Sequence, residues 1–208
     1  MNKDRIVIFD ADGTLFDSMS DIFLALCKVF QSENVSPPTF DDYIVNFRFP
    51  FGGYYRERGV NLTDQEILRR YLKAYTDAHG VYNPPIFPDA RRIIDWLHSI
   101  QYKVKIITAN TSENIARVLA SANFDDLIEC KSAQNKVEAI REETGKSPIG
   151  RMIPFVGDTC ADIEDGIKAG AFTIAVLRER MKLAYEFHKA GAKICIPSLA
   201  GLTEVITP

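Results

Sequence analysis

The chain has 208 residues, 46% of them hydrophobic and 25% charged, with a formal net charge of -3. That length can bury a sizeable core and suits one domain, or one domain carrying a smaller insert. The composition is ordinary for a soluble globular protein, and the lack of a long basic run argues against nucleic-acid binding through a basic face.

Cys27, Cys130, Cys160 and Cys195 are scattered with no C-x-x-C pair. This argues against a disulfide framework or a zinc site and fits a reducing compartment. No apolar stretch approaches the roughly 20 residues of a membrane span. Met1 to Arg5 lead straight towards the first strand, leaving no room for a signal peptide. The sequence reads as cytoplasmic, with no membrane partner.

Ile6 to Phe9 form a continuous apolar run, predicted as a short strand buried on both faces. The run ends in Asp10-Ala11-Asp12-Gly13-Thr14-Leu15. Asp17 and Ser18 are good helix N-caps, and Ile22, Phe23, Leu26, Val29 and Phe30 recur at helical spacing. Ser36-Pro37-Pro38 breaks that helix, and Thr39 can start another. The stretch 47–55 is aromatic with two glycines, and 64–78 fits a further helix. Asn83-Pro84-Pro85 and Pro88 make a stiff connection. Residues 16–85 are therefore predicted as a helical insert, with 1–15 and 86–208 forming the main domain.

From Asp89 onward helices and strands alternate. Helices are predicted at 89–100, 112–122, 136–144, 163–169 and 181–190. Strands are predicted at 104–108, 127–130, 153–158, 172–176 and 193–196, with 198–206 as a helical tail. Alternation of this kind predicts an α/β fold with a doubly wound, mostly parallel sheet and right-handed crossovers.

Open sheets of this type bind ligands at the carboxyl ends of their strands. Asp10 and Asp12 stand where the first strand stops, and two carboxylates there can seat a hard cation or perform acid/base chemistry. Gly13 permits a sharp turn and Thr14 adds a hydroxyl. Thr108 closes another strand, where a hydroxyl and the following N–H groups suit a phosphate oxygen; a helix-cap role for it is the plain alternative. Asp158 stands at a further strand tip and Asp162 one turn later, a pair that repels unless a cation or partner lies between. A turn residue followed by a helix-dipole partner is the plain reading of that pair. The histidines His79, His98 and His188 are isolated and suggest no triad.

Asp10 to Leu15 resembles the first motif of the haloacid dehalogenase-like hydrolase superfamily. Val156 to Gly170 is similar to the fourth motif of its phosphoglycolate-phosphatase-like branch. The resemblance implies a Rossmann-like core with an inserted helical cap and a Mg2+-dependent phosphatase acting on a small phosphorylated metabolite. It implies Asp10 as nucleophile and Asp12 as general acid/base. The Asp10 and Asp158 side chains and the Asp12 main-chain carbonyl would ligate Mg2+, with Asp162 in support. Thr108 would bind the phosphoryl group, with Ala109 and Asn110 beside it. Lys136 is the motif lysine that fits best, with Lys131 its rival.

Arg48, Arg56 and Arg58 are candidates to reach a second anionic group on the substrate, and Phe49 or Phe51 to cover its leaving group. An acid/base Asp at position 12 argues against a dehalogenase or a phosphonoacetaldehyde hydrolase. A sugar phosphomutase, a nucleotidase, a pyrophosphatase and a non-catalytic binding module stay open.

Overall fold

A computed structural model describes residues 5–124, 126–146 and 152–207. Residues 1–4, and with them the expected lead into the first strand, lie outside the described residues. The chain forms two compact units, one of residues 1–17 and 83–208, the other of 18–82.

The larger unit is built on six strands: β1 (Arg5–Phe9), β2 (Tyr102–Thr108), β3 (Ile128–Ser132), β4 (Pro154–Gly157), β5 (Phe172–Val176) and β6 (Ile194–Ile196). They lie in the order β3-β2-β1-β4-β5-β6, and every pairing is parallel. The order reverses beside β1, so β1, β2 and β4 meet at the topological switch point, where a crevice opens beyond the strand ends.

Parallel strands need crossover helices on both faces, which is why the central strands read as apolar runs. Ile8, Ile107 and Phe155 from the sheet pack with Ala139 and Ile140 of α7 (Lys136–Thr144) in one buried cluster. The remaining crossovers are α5 (Pro88–Ser99), α6 (Ser112–Ser121), α8 (Cys160–Lys168) and α9 (Ala184–Ala190). The tail is a short 3-10 turn followed by α10 (Leu202–Val205).

Boundaries moved where local chemistry outweighed periodicity. Strand β2 starts two residues before its predicted 104, and β3 runs on to Ser132 because it follows β2 in register, with Thr108 opposite Ser132. Helix α8 begins at Cys160 because Thr159 caps it, its hydroxyl accepting from the Asp162 N–H. The predicted helix at 181–190 opens with a 3-10 turn, Met181–Leu183, before α9.

Among its described residues, the smaller unit holds helices and no strand: α1 (Met19–Ser32), α2 (Phe40–Asn46), α3 (Gly52–Arg56) and α4 (Asp64–His79). Thr39 and Thr63 cap α2 and α4 through their hydroxyls, whereas Ser18 stands at the N-cap of α1 without a side-chain cap bond. Ser18 is fully buried and in the αR region, so its hydroxyl lacks the extended-backbone geometry that a cap uses. No helix is long and apolar enough to cross a membrane among the described residues.

Candidate active site

Asp10, Thr108, Asp158 and Arg180 lie at or just past the carboxyl ends of β1, β2, β4 and β5. Asp10 continues β1, its N–H donating to the Val156 carbonyl at 2.9 Å. The chain then folds back at once, the Leu15 and Phe16 N–H groups both donating to the Ala11 carbonyl at 2.9 Å. Gly13, at φ 76°, takes the left-handed conformation that this turn demands.

Asp10, Asp158 and Asp162 converge, each offering one carboxylate oxygen, and these oxygens lie within 4.8 Å of one another. All three residues are buried. Lys136, first residue of α7, reaches between two of them, donating to Asp10 Oδ1 at 2.6 Å and Asp162 Oδ1 at 2.7 Å. Its rival Lys131 lies within β3 and pairs with Glu142.

Asp162 performs two tasks at once. Its Oδ2 accepts from the Thr159 N–H and hydroxyl, closing a capping box, while Oδ1 holds Lys136. Gly157 permits this close approach: a Cβ there would stand 2.4 Å from the Asp162 Cβ.

Asp12 lies outside the triad. Its Oδ2 accepts from Asn110 Nδ2 at 3.0 Å, so the structure brings Asn110 to a carboxylate. Thr108 is buried and accepts from the Asn110 N–H at 3.1 Å, with half-buried Ala109 between them. It is not a helix cap, because Thr111 caps α6.

Arg48 belongs to the smaller unit, where its guanidinium donates to the Val45 and Phe47 carbonyls. Arg56 pairs with Asp64 and Arg58 with Asp42 in the same unit. Phe49 is 55% exposed and Phe51 half-buried, their rings edge to face at 6.1 Å.

Two arginines beyond β5 complete the surroundings, and no motif in the sequence pointed to either. Arg180 donates to Asp158 Oδ2 at 3.1 Å, while the Thr14 hydroxyl donates to Oδ1 at 3.1 Å. Arg178 grips both oxygens of Asp89, donates to the Thr14 carbonyl and stacks over the Phe87 ring at 3.7 Å. The available signal was their place, just past the carboxyl end of the buried strand β5.

The electrostatics follow from burial. Desolvation pushes the Asp10 carboxyl well above its ordinary value; Lys136 pulls it down, and Asp162, Asp158 and Asp12 push it up again. Burial raises Asp158 to about 6, against the pull of Arg180. Burial opposes ionisation of Asp162 as well, but Lys136 and Thr159 outweigh it and the net shift is downward. Burial likewise disfavours the Lys136 ammonium, yet the Asp10 and Asp162 charges leave it firmly protonated. The cluster holds more negative than positive charge in a dry setting, and an all-oxygen donor set of this kind fits a hard divalent cation such as Mg2+.

Residues 7–176 match the sequence model of a protein family described as haloacid dehalogenase-like hydrolases. The chain belongs to this family. It is 31% identical over 196 residues to a phosphoglycolate phosphatase of Aquifex aeolicus, covering 86% of this chain and 87% of the relative. It is 27% identical over 190 residues to a phosphoglycolate phosphatase of Pseudomonas fluorescens, covering 83% and 69% of the two chains. The fold is similar to that of a haloacid dehalogenase-like family hydrolase from Streptococcus pneumoniae, with a TM-score of 0.75, 18% identity and full coverage of both chains.

Proposed function

We propose that this haloacid dehalogenase-like hydrolase is a Mg2+-dependent phosphatase that transfers the phosphoryl group of a small phosphate monoester to Asp10 and then to water. The observation that carries this reading is the Lys136 ammonium between Asp10 and Asp162 inside a buried carboxylate triad. The names of the relatives make phosphoglycolate the first substrate to try.

Asp10 is the nucleophile, and its attack on phosphorus in line with the leaving oxygen gives an aspartyl-phosphate. Lys136 pulls the Asp10 carboxyl towards its ionised form and offsets the charge of the incoming phosphate. The Thr108 hydroxyl and the Ala109 N–H donate to phosphoryl oxygens. Asp12 protonates the leaving alcohol and then takes a proton from the attacking water, with Asn110 holding its carboxylate in place. Asp10 and Asp158, with the Asp12 main-chain carbonyl, would hold Mg2+, which when bound would supply the positive charge that lets two anions approach. The helical unit serves as a cap that selects the leaving group, with Arg48 among its candidate contacts.

The test is phosphate release from phosphoglycolate, other phosphorylated metabolites and p-nitrophenyl phosphate, with Mg2+ and with EDTA, for the wild type and Asp10→Asn. Mg2+-dependent release that drops by about 10^3-fold or more in Asp10→Asn supports the reading. Release that survives the substitution overturns the mechanism. Isomerisation of a sugar phosphate without net phosphate release would identify a mutase.

A further inference from the structure

Asp158 is fully buried, and both of its oxygens are engaged before any ligand arrives. The arm that engages Oδ2 is not a loose surface side chain. The Arg180 side chain is 9% exposed, and its Nε donates to the Leu177 carbonyl at 3.1 Å. The Arg180 main-chain N–H donates to the same carbonyl at 2.9 Å, so one tight turn after β5 fixes both the backbone and the head group. A guanidinium held from two sides presents its remaining edge in a set direction.

Buried ion pairs of this kind add little to stability compared with an apolar pair of the same volume. Asp10, Asp158 and Asp162 face the cations Lys136 and Arg180, so Arg180 cancels a large part of the negative charge that would attract a divalent ion. Lys136 is committed to Asp10 and Asp162, which leaves Arg180 as the cation facing the Asp158 arm.

We propose that Arg180 is a resident counter-cation for Asp158: it fixes the carboxylate in the metal-free protein and lowers the affinity of the site for divalent ions. This rests on the reading that Asp158 helps to hold the metal. Arg180 touches neither substrate nor reacting atoms; it is a positioning residue acting through Asp158. Weak, exchangeable metal binding is the consequence, because a divalent ion at Asp158 must face a fixed positive charge beside it.

The test is calorimetric titration of Mg2+, and of Mn2+ as a second probe, into EDTA-stripped wild type, Arg180→Met, Arg180→Gln and Arg180→Lys at about pH 8, where ordinary carboxylates are ionised. Removing the charge in Arg180→Met or Arg180→Gln is expected to tighten binding by about tenfold or more. Arg180→Lys, which keeps the charge, is expected to stay within about threefold of the wild type. The charge-removing variants are also expected to melt lower without metal and to gain more from saturating Mg2+ than the wild type gains. Unchanged or weaker affinity in whichever of the two folds, judged by circular dichroism, overturns the counter-cation role. No binding of either ion by the wild type would instead overturn the metal reading on which the role rests.

Discussion

Each unit of the molecule carries a charged cluster, and the two are built on opposite rules. In the helical unit Asp42 accepts from Tyr54, Asn46 and the fork of Arg58, whose guanidinium lies over the Tyr54 ring at 3.7 Å. The Asp42 carboxylate meets the Arg58 guanidinium, which also lies 3.8 Å from the exposed Glu57 carboxylate, and the Asp42 and Arg58 side chains are 30% and 23% exposed. At the sheet edge Asp10, Asp158 and Asp162 share Lys136 and Arg180, and none of these five side chains is more than 13% exposed. In this half-wet cluster both Asp42 oxygens are satisfied by neighbouring donors, and it needs nothing further. The unbalanced, dry cluster stores repulsion that a cation or a reaction relieves, and this difference separates a structural ion pair from a candidate active site.

The largest way to break the contrast is Lys136→Met, which leaves two buried carboxylates without their shared cation. It is expected to destabilise the protein by about 3 kcal/mol and to cut phosphate release by about 10^2-fold or more. Denaturant unfolding and the release assay read the two effects separately. Near-wild-type stability in that variant would mean that the cluster is not held together by charge.

Gly157→Ala tests the same cluster by volume. The new Cβ would displace Asp162 from its capping box, at a cost of roughly 2 kcal/mol by the usual scale of overpacking. A loss smaller than a few tenths of a kcal/mol would show that Asp162 has room to move.

Asp42→Asn is expected to do least, under about 1 kcal/mol, with an effect that shrinks further in high salt. Its pH dependence has a definite sign. Burial pushes the Asp42 carboxyl up, but Tyr54, Asn46 and Arg58 outweigh it and hold it below the ordinary value of 3.8. A carboxyl lowered by folding stabilises above its unfolded value and loses that contribution as the pH falls through the folded value. Wild type and Asp42→Asn should therefore differ near neutral pH and converge in acid, as followed by thermal melts. Convergence at high pH instead would reverse the assignment.

The two clusters also differed in how far the sequence disclosed them. Asp10 and Asp158 were legible because each follows an apolar strand directly, and parallel pairing sends all such tips to one edge. Lys136 and Lys131 could not be separated by sequence, since the choice turns on where β3 ends; extension to Ser132 puts Lys131 in the strand beside Glu142. Asp162 offered a helix-dipole partner and a member of a charged pair as rival readings; it stands in the first turn of α8, where one oxygen closes a capping box and the other holds Lys136. Arg178 and Arg180 stayed hidden because Arg178-Glu179-Arg180 reads as a solvated loop; their burial depends on contacts with Asp89 and Asp158, distant in the chain. The Asp42 pair was equally hidden, because Arg58 had no local pattern to tie it to a helix sixteen residues earlier.

The central claim is that Asp10 itself carries the phosphoryl group. Asp12→Asn should slow hydrolysis of the aspartyl-phosphate while p-nitrophenyl phosphate, whose leaving group needs no proton, still phosphorylates the enzyme. The measurement is mass analysis of peptides from that variant after acid quench of a single turnover. One added phosphoryl group on the peptide that contains Asp10, absent from the Asp10→Asn, Asp12→Asn double variant, is the predicted result. Phosphate released with no phosphorylated peptide, or a phosphoryl group on any other residue, would contradict it.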